Sequence, residues 1–143
     1  TGNLRLMNYH ANTPRTVPGA RTITTVELAA LVREPRPPVL LDVLGGNGHT
    51  TLAGATWLPG AGLGGGFDDA LQTRLVAAAT ALTGGDKART VVVFCLSEMC
   101  WLSYNAALRL VRAGFTDVRW YRGGTEAWAA ASLPIARATA GTW

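Results

Sequence analysis

Two kinds of apolar pattern alternate along the 143-residue chain. An apolar run with one acid, as expected of a buried parallel strand, occurs at 39–43, and a row of β-forming residues occurs at 90–94. Shorter strand-like stretches occur at 55–58 and 118–120. Apolar residues at helical spacing predict helices over about 24–33, 69–82, 101–113 and 123–128. This alternation predicts an α/β fold, with a mostly parallel central sheet flanked by helices on both faces.

The ends of these elements carry recognisable signals. Thr24 and Glu27 form a capping-box pattern at the start of the first helix. Residues 1–21 contain prolines and no periodicity, so we expect an N-terminal extended arm on the surface, followed by one domain over 22–143. The glycine-rich stretch 61–66 lacks a phosphate-loop pattern and reads as a flexible connection.

Composition narrows the function classes. Hydrophobic residues make up 48% and charged residues 15%, which favours a folded core over disorder. The net charge of +4 comes from twelve Arg and one Lys that are scattered rather than clustered, which argues against a nucleic-acid binder. No apolar run is long enough to span a bilayer, and the first residues given do not show the charged and apolar regions of a signal peptide. A start at Thr1 is compatible with a mature exported protein.

The most reactive side chains lie where the strongest strand meets the strongest helix. Cys95 ends the strand and Cys100 begins the helix, and their spacing with the two His residues matches no zinc site, so we expect no metal. A helix N-terminus presents unpaired N–H groups and a partial positive charge, which favour a thiolate. We therefore expect Cys95 to be the nucleophile and Cys100 a candidate resolving thiol.

The surroundings of Cys95 supply the candidate substrate-binding residues. The segment between the cysteines would curl around the sulfur and direct backbone N–H groups at it. Asp42 ends another strand, where hydrogen bonds to a neighbouring loop are its expected role, and His49 is expected to be a hydrogen-bonding residue rather than a base. The full candidate set is Leu96, Ser97, Glu98, Met99, Trp101, Asp42 and Arg122.

The order of several short motifs resembles the rhodanese-like domains, which are sulfurtransferases with a cysteine between a strand and a helix. The motifs are Leu40-Leu41-Asp42-Val43, Gly54-Ala55 before Leu58-Pro59, Val91 to Cys95, Asn105-Ala106-Ala107, Ala113-Gly114-Phe115 and Tyr121-Arg122-Gly123-Gly124 through Trp128. The resemblance covers about 22–136. It implies that Cys95 carries sulfur as a persulfide.

A narrower resemblance is to the rhodanese-like proteins named for a CXXCW motif and associated with catabolism that depends on pyrroloquinoline quinone (PQQ). Cys100-Trp101 followed by Ser103 to Ala107 carries it. It implies a periplasmic location and a PQQ-dependent dehydrogenase system as partner, with no cofactor in this domain itself. Four residues lie between the cysteines here, whereas that motif has two. The loop carries Glu98 and no basic residue, and a carboxylate near the sulfur opposes a dianionic donor, so we expect poor use of thiosulfate.

Three functions remain open from the sequence. The first is a sulfurtransferase that passes sulfur from a small donor to a thiol or protein acceptor. The second is a thiol–disulfide or persulfide redox protein using Cys95 and Cys100. The third is a non-catalytic binding module of a dehydrogenase system. We expect Cys95 and Cys100 to be able to form a labile disulfide, but only with some rearrangement of the loop. We expect a reduced, open loop as the resting form, because a loop that directs N–H groups at Cys95 is not arranged to direct a side chain at it.

Overall fold

A five-stranded parallel sheet forms the centre of the computed structural model, which describes residues 2–139 and 143. The elements in chain order are β1 (Arg21–Thr22), α1 (Thr25–Leu31), β2 (Val39–Asp42), β3 (Thr50–Leu52), β4 (Thr56–Trp57), α2 (Ala70–Thr83), β5 (Val91–Phe94), α3 (Trp101–Arg112), β6 (Val118–Trp120), α4 (Gly124–Ala130) and β7 (Ile135–Arg137). The strand order is β1-β6-β5-β2-β4, and β3 pairs with β7 in a separate antiparallel sheet. Within the described residues, no helix is long and apolar enough to cross a membrane.

The alternating side chains of β5 divide the core between the two faces of the sheet. Val91 and Val93 pack into a cluster that includes α2 and α3, whereas Val92 and Phe94 pack with residues of α1 and α4. All four side chains are fully buried. The predicted α/β fold with helices on both faces is therefore confirmed.

The predicted elements agree with the structure where a local signal was strong. The capping box at Thr24 is formed, with both of its hydrogen bonds, and Asp69 caps α2. The prediction missed β1, β3 and β7, which have two or three residues each. Pairs such as Arg21-Thr22 and Thr50-Thr51 lack the bulky apolar residues that marked the equally short β4 and β6.

The glycine-rich stretch is tightly fastened, so the expectation of a flexible connection is wrong. Asn105 donates to the Gly62 carbonyl at 2.9 Å, and the fully buried Arg109 donates to the carbonyls of three residues of this stretch, Leu63, Gly64 and Gly66. A Cβ at Gly62 would overlap the backbone of α3. Glycine is needed at this position because the two backbone segments approach closely, and not because the stretch is flexible.

Candidate functional site

The sulfur of Cys95 lies at the N-terminus of α3. Cys95 directly follows β5, and the backbone N–H of Ser103, in the first turn of α3, donates to Cys95 Sγ at 3.3 Å. Cys100 is the N-cap residue, but its side chain makes no capping hydrogen bond. The Cys95 sulfur therefore accepts a helix N–H that a capping side chain would otherwise accept. The positive end of the helix favours negative charge on this sulfur.

Cys95 and Cys100 are joined by a disulfide in the structure. Their Cα atoms are 6.3 Å apart, within the usual span of such bonds. The expectation of a reduced, open loop is therefore wrong for this structure. The loop closes because the Cys100 N–H donates to the Ser97 carbonyl at 3.1 Å, a turn that brings Cys100 back to the strand end.

The first two carbonyls of the loop, those of Cys95 and Leu96, point toward the start of α4. The N–H groups of Thr125 and Glu126 donate to the carbonyls of Cys95 and Leu96 at 2.9 and 3.0 Å. Gly124 makes this approach possible, because its φ is +68° and any Cβ would overlap the Cys95 carbonyl. The sequence analysis placed Gly124 at a helix start and missed its contact with the loop.

The N-terminal arm pairs with the outer edge of the cysteine loop, like an added antiparallel strand. The Trp101 N–H donates to the Tyr9 carbonyl at 2.8 Å, and the Ala11 N–H donates to the Met99 carbonyl at 2.9 Å. His10 and Cys100 form the bridge pair between these bonds. The arm therefore covers the loop, and both cysteines are buried, with 1% and 6% of their surface exposed.

Arg122 fastens the arm to the loop. Its guanidinium donates to the Thr13 hydroxyl at 3.0 Å and to the Thr13 carbonyl at 2.9 Å, and it pairs with the Glu98 carboxylate at 3.1 Å. The Thr13 hydroxyl in turn donates to the Glu98 carbonyl at 2.6 Å. Arg122 therefore offsets the charge of Glu98, which weakens the predicted repulsion of an anionic donor.

Asp42 is not placed to bind a substrate. It is fully buried, and one carboxylate oxygen accepts the Leu44 N–H at 2.9 Å. The other oxygen bonds His49 Nε2 at 2.5 Å, and the His49 ring packs edge-on against Trp57. Both residues brace the loop after β2, which is the hydrogen-bonding role expected for Asp42, and these contacts do not support a direct contact of Asp42 with substrate.

The remaining candidates lie in the loop and at the start of α3. Ser97 accepts the Met99 N–H through its hydroxyl at 3.2 Å. The Arg5 guanidinium lies over the Trp101 ring, with its central carbon 4.5 Å from the centre of that ring, and Trp101 also packs against Tyr104. Burial raises the pKa of Tyr104. Trp101 thus anchors the arm on α3, a role that its position alone did not reveal.

A cleft of about 350 Å³ opens beside the loop, at the carboxyl ends of β1 and β6. In open parallel sheets this is the edge where ligands bind. Arg15 and Arg122 give the cleft two positive charges, and Glu98 gives it one negative charge. Its other lining residues are Thr22, Ile23, Thr24, Thr25, Tyr121, Gly123 and Ala127.

Solved structures with the same fold include three from bacteria. A protein from Anabaena sp. has a TM-score of 0.58 at 23% identity, over 80% of this chain and 79% of that one. Thiosulfate sulfurtransferase from Pseudomonas aeruginosa has a TM-score of 0.60 at 19% identity, over 88% of this chain and 22% of that one. The polysulfide-sulfur transferase from Wolinella succinogenes has a TM-score of 0.56 at 15% identity, over 83% and 80%. At these identities the likeness concerns the fold.

A search of the curated proteins found no match. The family model for the rhodanese-like domain matches residues 15–131, which is most of the chain and includes β5, the cysteine loop and α3. This chain therefore belongs to the rhodanese-like domain family.

Proposed function

We propose that this protein is a sulfurtransferase in which Cys95 carries the transferred sulfur. The observation that carries the proposal is the position of Cys95 Sγ at the strand end, within 3.3 Å of an N–H of the α3 N-terminus. In the thiolate the negative charge is on Cys95 Sγ, and in the persulfide it is on the outer sulfur bonded to Sγ. The positive end of α3 favours negative charge at or next to Cys95 Sγ in both forms. The thiosulfate and polysulfide transferases that share the fold support the same reaction class.

The reaction begins from the reduced form. The Cys95 thiolate attacks the sulfane sulfur of the donor, and the bond between that sulfur and the rest of the donor breaks. The electron pair leaves with the departing group, and a Cys95 persulfide remains. A thiol acceptor then attacks the outer sulfur, which restores the Cys95 thiolate.

The disulfide supports a second candidate, a redox function for the two cysteines. The Cys100 thiolate can attack the inner sulfur of a Cys95 persulfide, which releases hydrosulfide and forms the disulfide bond found here. A dithiol reductant would then return both cysteines to the thiol form. In this scheme the protein reduces sulfane sulfur instead of passing it on.

The charges beside the loop bear on the class of donor. Arg122 neutralises Glu98, and Arg15 adds a positive charge to the cleft that both residues line. We therefore propose an anionic sulfane donor and test polysulfide and thiosulfate together. A periplasmic location and service to a PQQ-dependent dehydrogenase system rest on the narrower sequence resemblance and stay proposals.

The test is direct detection of the persulfide. The protein is reduced with a dithiol, freed of reductant and mixed with polysulfide or thiosulfate, and intact mass and peptide mapping follow. We expect one added sulfur on Cys95, none in Cys95→Ser, and a longer-lived adduct in Cys100→Ser. Hydrosulfide release that requires Cys100 would favour the redox function.

The absence of a sulfur adduct and of hydrosulfide with every donor would overturn both candidates. The protein would then be a binding module, like the non-catalytic members of its family.

A further inference from the structure

We propose that Ser103, oriented by Trp120, is a hydrogen-bond donor to the Cys95 sulfur and makes Cys95 the leaving group when the disulfide is reduced. Cys100 Sγ is then the atom that an incoming thiol attacks. The proposal rests on the proposed function only in taking Cys95 as the reactive cysteine. It adds two residues, and a direction for the exchange reaction, that the family assignment does not supply.

The hydrogen bonds around Ser103 fix the direction of its hydroxyl. Trp120 Nε1 lies 2.8 Å from Ser103 Oγ, and an indole nitrogen can only donate. Ser103 Oγ therefore accepts from Trp120, and its own hydrogen points elsewhere. Cys95 Sγ lies 3.1 Å from the same oxygen and is the only other hydrogen-bond partner of this hydroxyl within the described residues.

Burial makes this arrangement rigid. Ser103 is 1% exposed and Trp120 is fully buried, so water does not compete for the hydroxyl. Cys95 Sγ therefore receives two donors from one residue, the hydroxyl at 3.1 Å and the backbone N–H at 3.3 Å. One acceptor, the Cys100 carbonyl at 3.4 Å, opposes them. Two donors against one acceptor favour the thiolate over the thiol.

Cys100 Sγ has no such donors among the described residues, and this asymmetry gives the disulfide a direction. In thiol–disulfide exchange, the sulfur with the lower thiol pKa is the better leaving group. An incoming thiolate attacks Cys100 Sγ, the Cys95–Cys100 bond breaks, and its electron pair passes to Cys95. The products are a mixed disulfide on Cys100 and a Cys95 thiolate held by Ser103. Cys100 is also the more exposed of the two, at 6% against 1%.

The first measurement is the thiol pKa of Cys95 in the Cys100→Ser background, from the ultraviolet absorbance of the thiolate as a function of pH. We expect Ser103→Ala to raise this pKa by about one to two units, the shift that loss of a hydrogen bond to a charged sulfur would give. Ser103→Thr retains the hydroxyl and should restore most of the shift. Trp120→Phe frees the hydroxyl to rotate and should give an intermediate value.

The matched control is Thr83→Val, which removes another buried hydroxyl, bonded within α2 at 2.8 Å, far from the sulfur. It should leave the Cys95 pKa unchanged. Equal pKa values in Ser103→Ala and its parent, with both variants folded, would overturn the proposal.

The second measurement locates the mixed disulfide. Oxidised wild-type protein is mixed with glutathione, quenched in acid and mapped by mass spectrometry. We expect the adduct on Cys100, and in Ser103→Ala about tenfold slower formation of it, because the leaving thiolate is less stabilised. An adduct mainly on Cys95 would overturn the assigned direction. Failure to form a persulfide would overturn the proposed function but leave both of these results interpretable.

Discussion

Replacing Thr13 by Val should release the N-terminal arm from the cysteine loop. Thr13 is 7% exposed, and its hydroxyl joins the arm to both neighbours. The hydroxyl donates to the Glu98 carbonyl at 2.6 Å and accepts from Arg122 Nε at 3.0 Å. Val has nearly the same shape and keeps the backbone bonds of Thr13, so the substitution removes these two hydrogen bonds and little else.

The free-energy cost of the substitution depends on the hydrogen bonds that Glu98 and Arg122 keep without the Thr13 hydroxyl. The Glu98 carbonyl still accepts the Thr13 N–H at 3.2 Å, and Arg122, with 19% of its side chain exposed, still reaches the Thr13 carbonyl and water. Two lost hydrogen bonds with partly compensated partners cost about 1–3 kcal/mol. Opening of the arm should therefore become about 5- to 150-fold more frequent.

Amide hydrogen exchange measures this opening directly. The N–H groups of Ala11 and Trp101 bond across the junction between arm and loop, and each is exposed only when the arm lifts. Both should exchange faster in Thr13→Val by the factor above, and a phosphine should reduce the disulfide faster by a similar factor. The control Thr116→Val removes an exposed hydroxyl–carbonyl bond to Lys87 and should leave both rates unchanged.

Two results would refute this reasoning. Unchanged exchange at Ala11 and Trp101 would mean that the hydroxyl contributes nothing to the closed arm. An equal acceleration at Val92, which is fully buried in the central sheet, would mean that the arm opens only when the whole domain unfolds. The arm would then be part of the core rather than a separately opening cover.

Two further predictions concern the guanidinium buried beneath the glycine-rich stretch. Arg109→Met should lower the free energy of unfolding in urea by about 3–5 kcal/mol, because it removes a fully buried cation and leaves Asp69 and several carbonyls without their donor; a loss below about 1 kcal/mol would contradict the assigned role. The hydrogen bond from Arg109 lowers the pKa of Asp69 from 3.8 to about 2, so its stabilisation is complete above the unfolded-state pKa and is lost as the pH falls from about 4 to about 2. When the free energy of unfolding is measured as a function of pH, the wild type should lose stability over this range, and Asp69→Asn should lose less.

Local patterns were sufficient to predict much of the fold. Four strands of the central sheet were recovered because their segments are rich in apolar, β-branched and aromatic residues, which are typical of buried strands. The start of α1 was recovered because the capping box at Thr24 and Glu27 acts within four residues. The position of Cys95 at a strand end followed from the same reasoning. The α/β fold and the position of Cys95 between β5 and α3 were thus accessible from the sequence.

Contacts between distant segments were not accessible in this way. The arm pairs with the cysteine loop through backbone hydrogen bonds, such as that from Trp101 to Tyr9, and backbone groups are the same for nearly every residue type. A single extended segment also lacks the period that marks an amphipathic element. The disulfide depends on a turn, closed by the Cys100 N–H on the Ser97 carbonyl, that no local motif indicated.

Three of the scattered arginines, which the sequence analysis considered only through the net charge, hold the segments that have no hydrophobic period of their own. Arg109 donates to carbonyls of the glycine-rich stretch, Arg122 donates to Thr13 of the arm, and Arg5 of the arm lies over Trp101. A guanidinium suits this task because its planar fork presents five donors and stacks on aromatic rings, whereas an ammonium group is a compact charge with three. Irregular backbone exposes carbonyls that no helix or sheet satisfies, and buried carbonyls need donors. The preference for Arg over Lys is therefore part of how this chain closes its loops and its arm around Cys95.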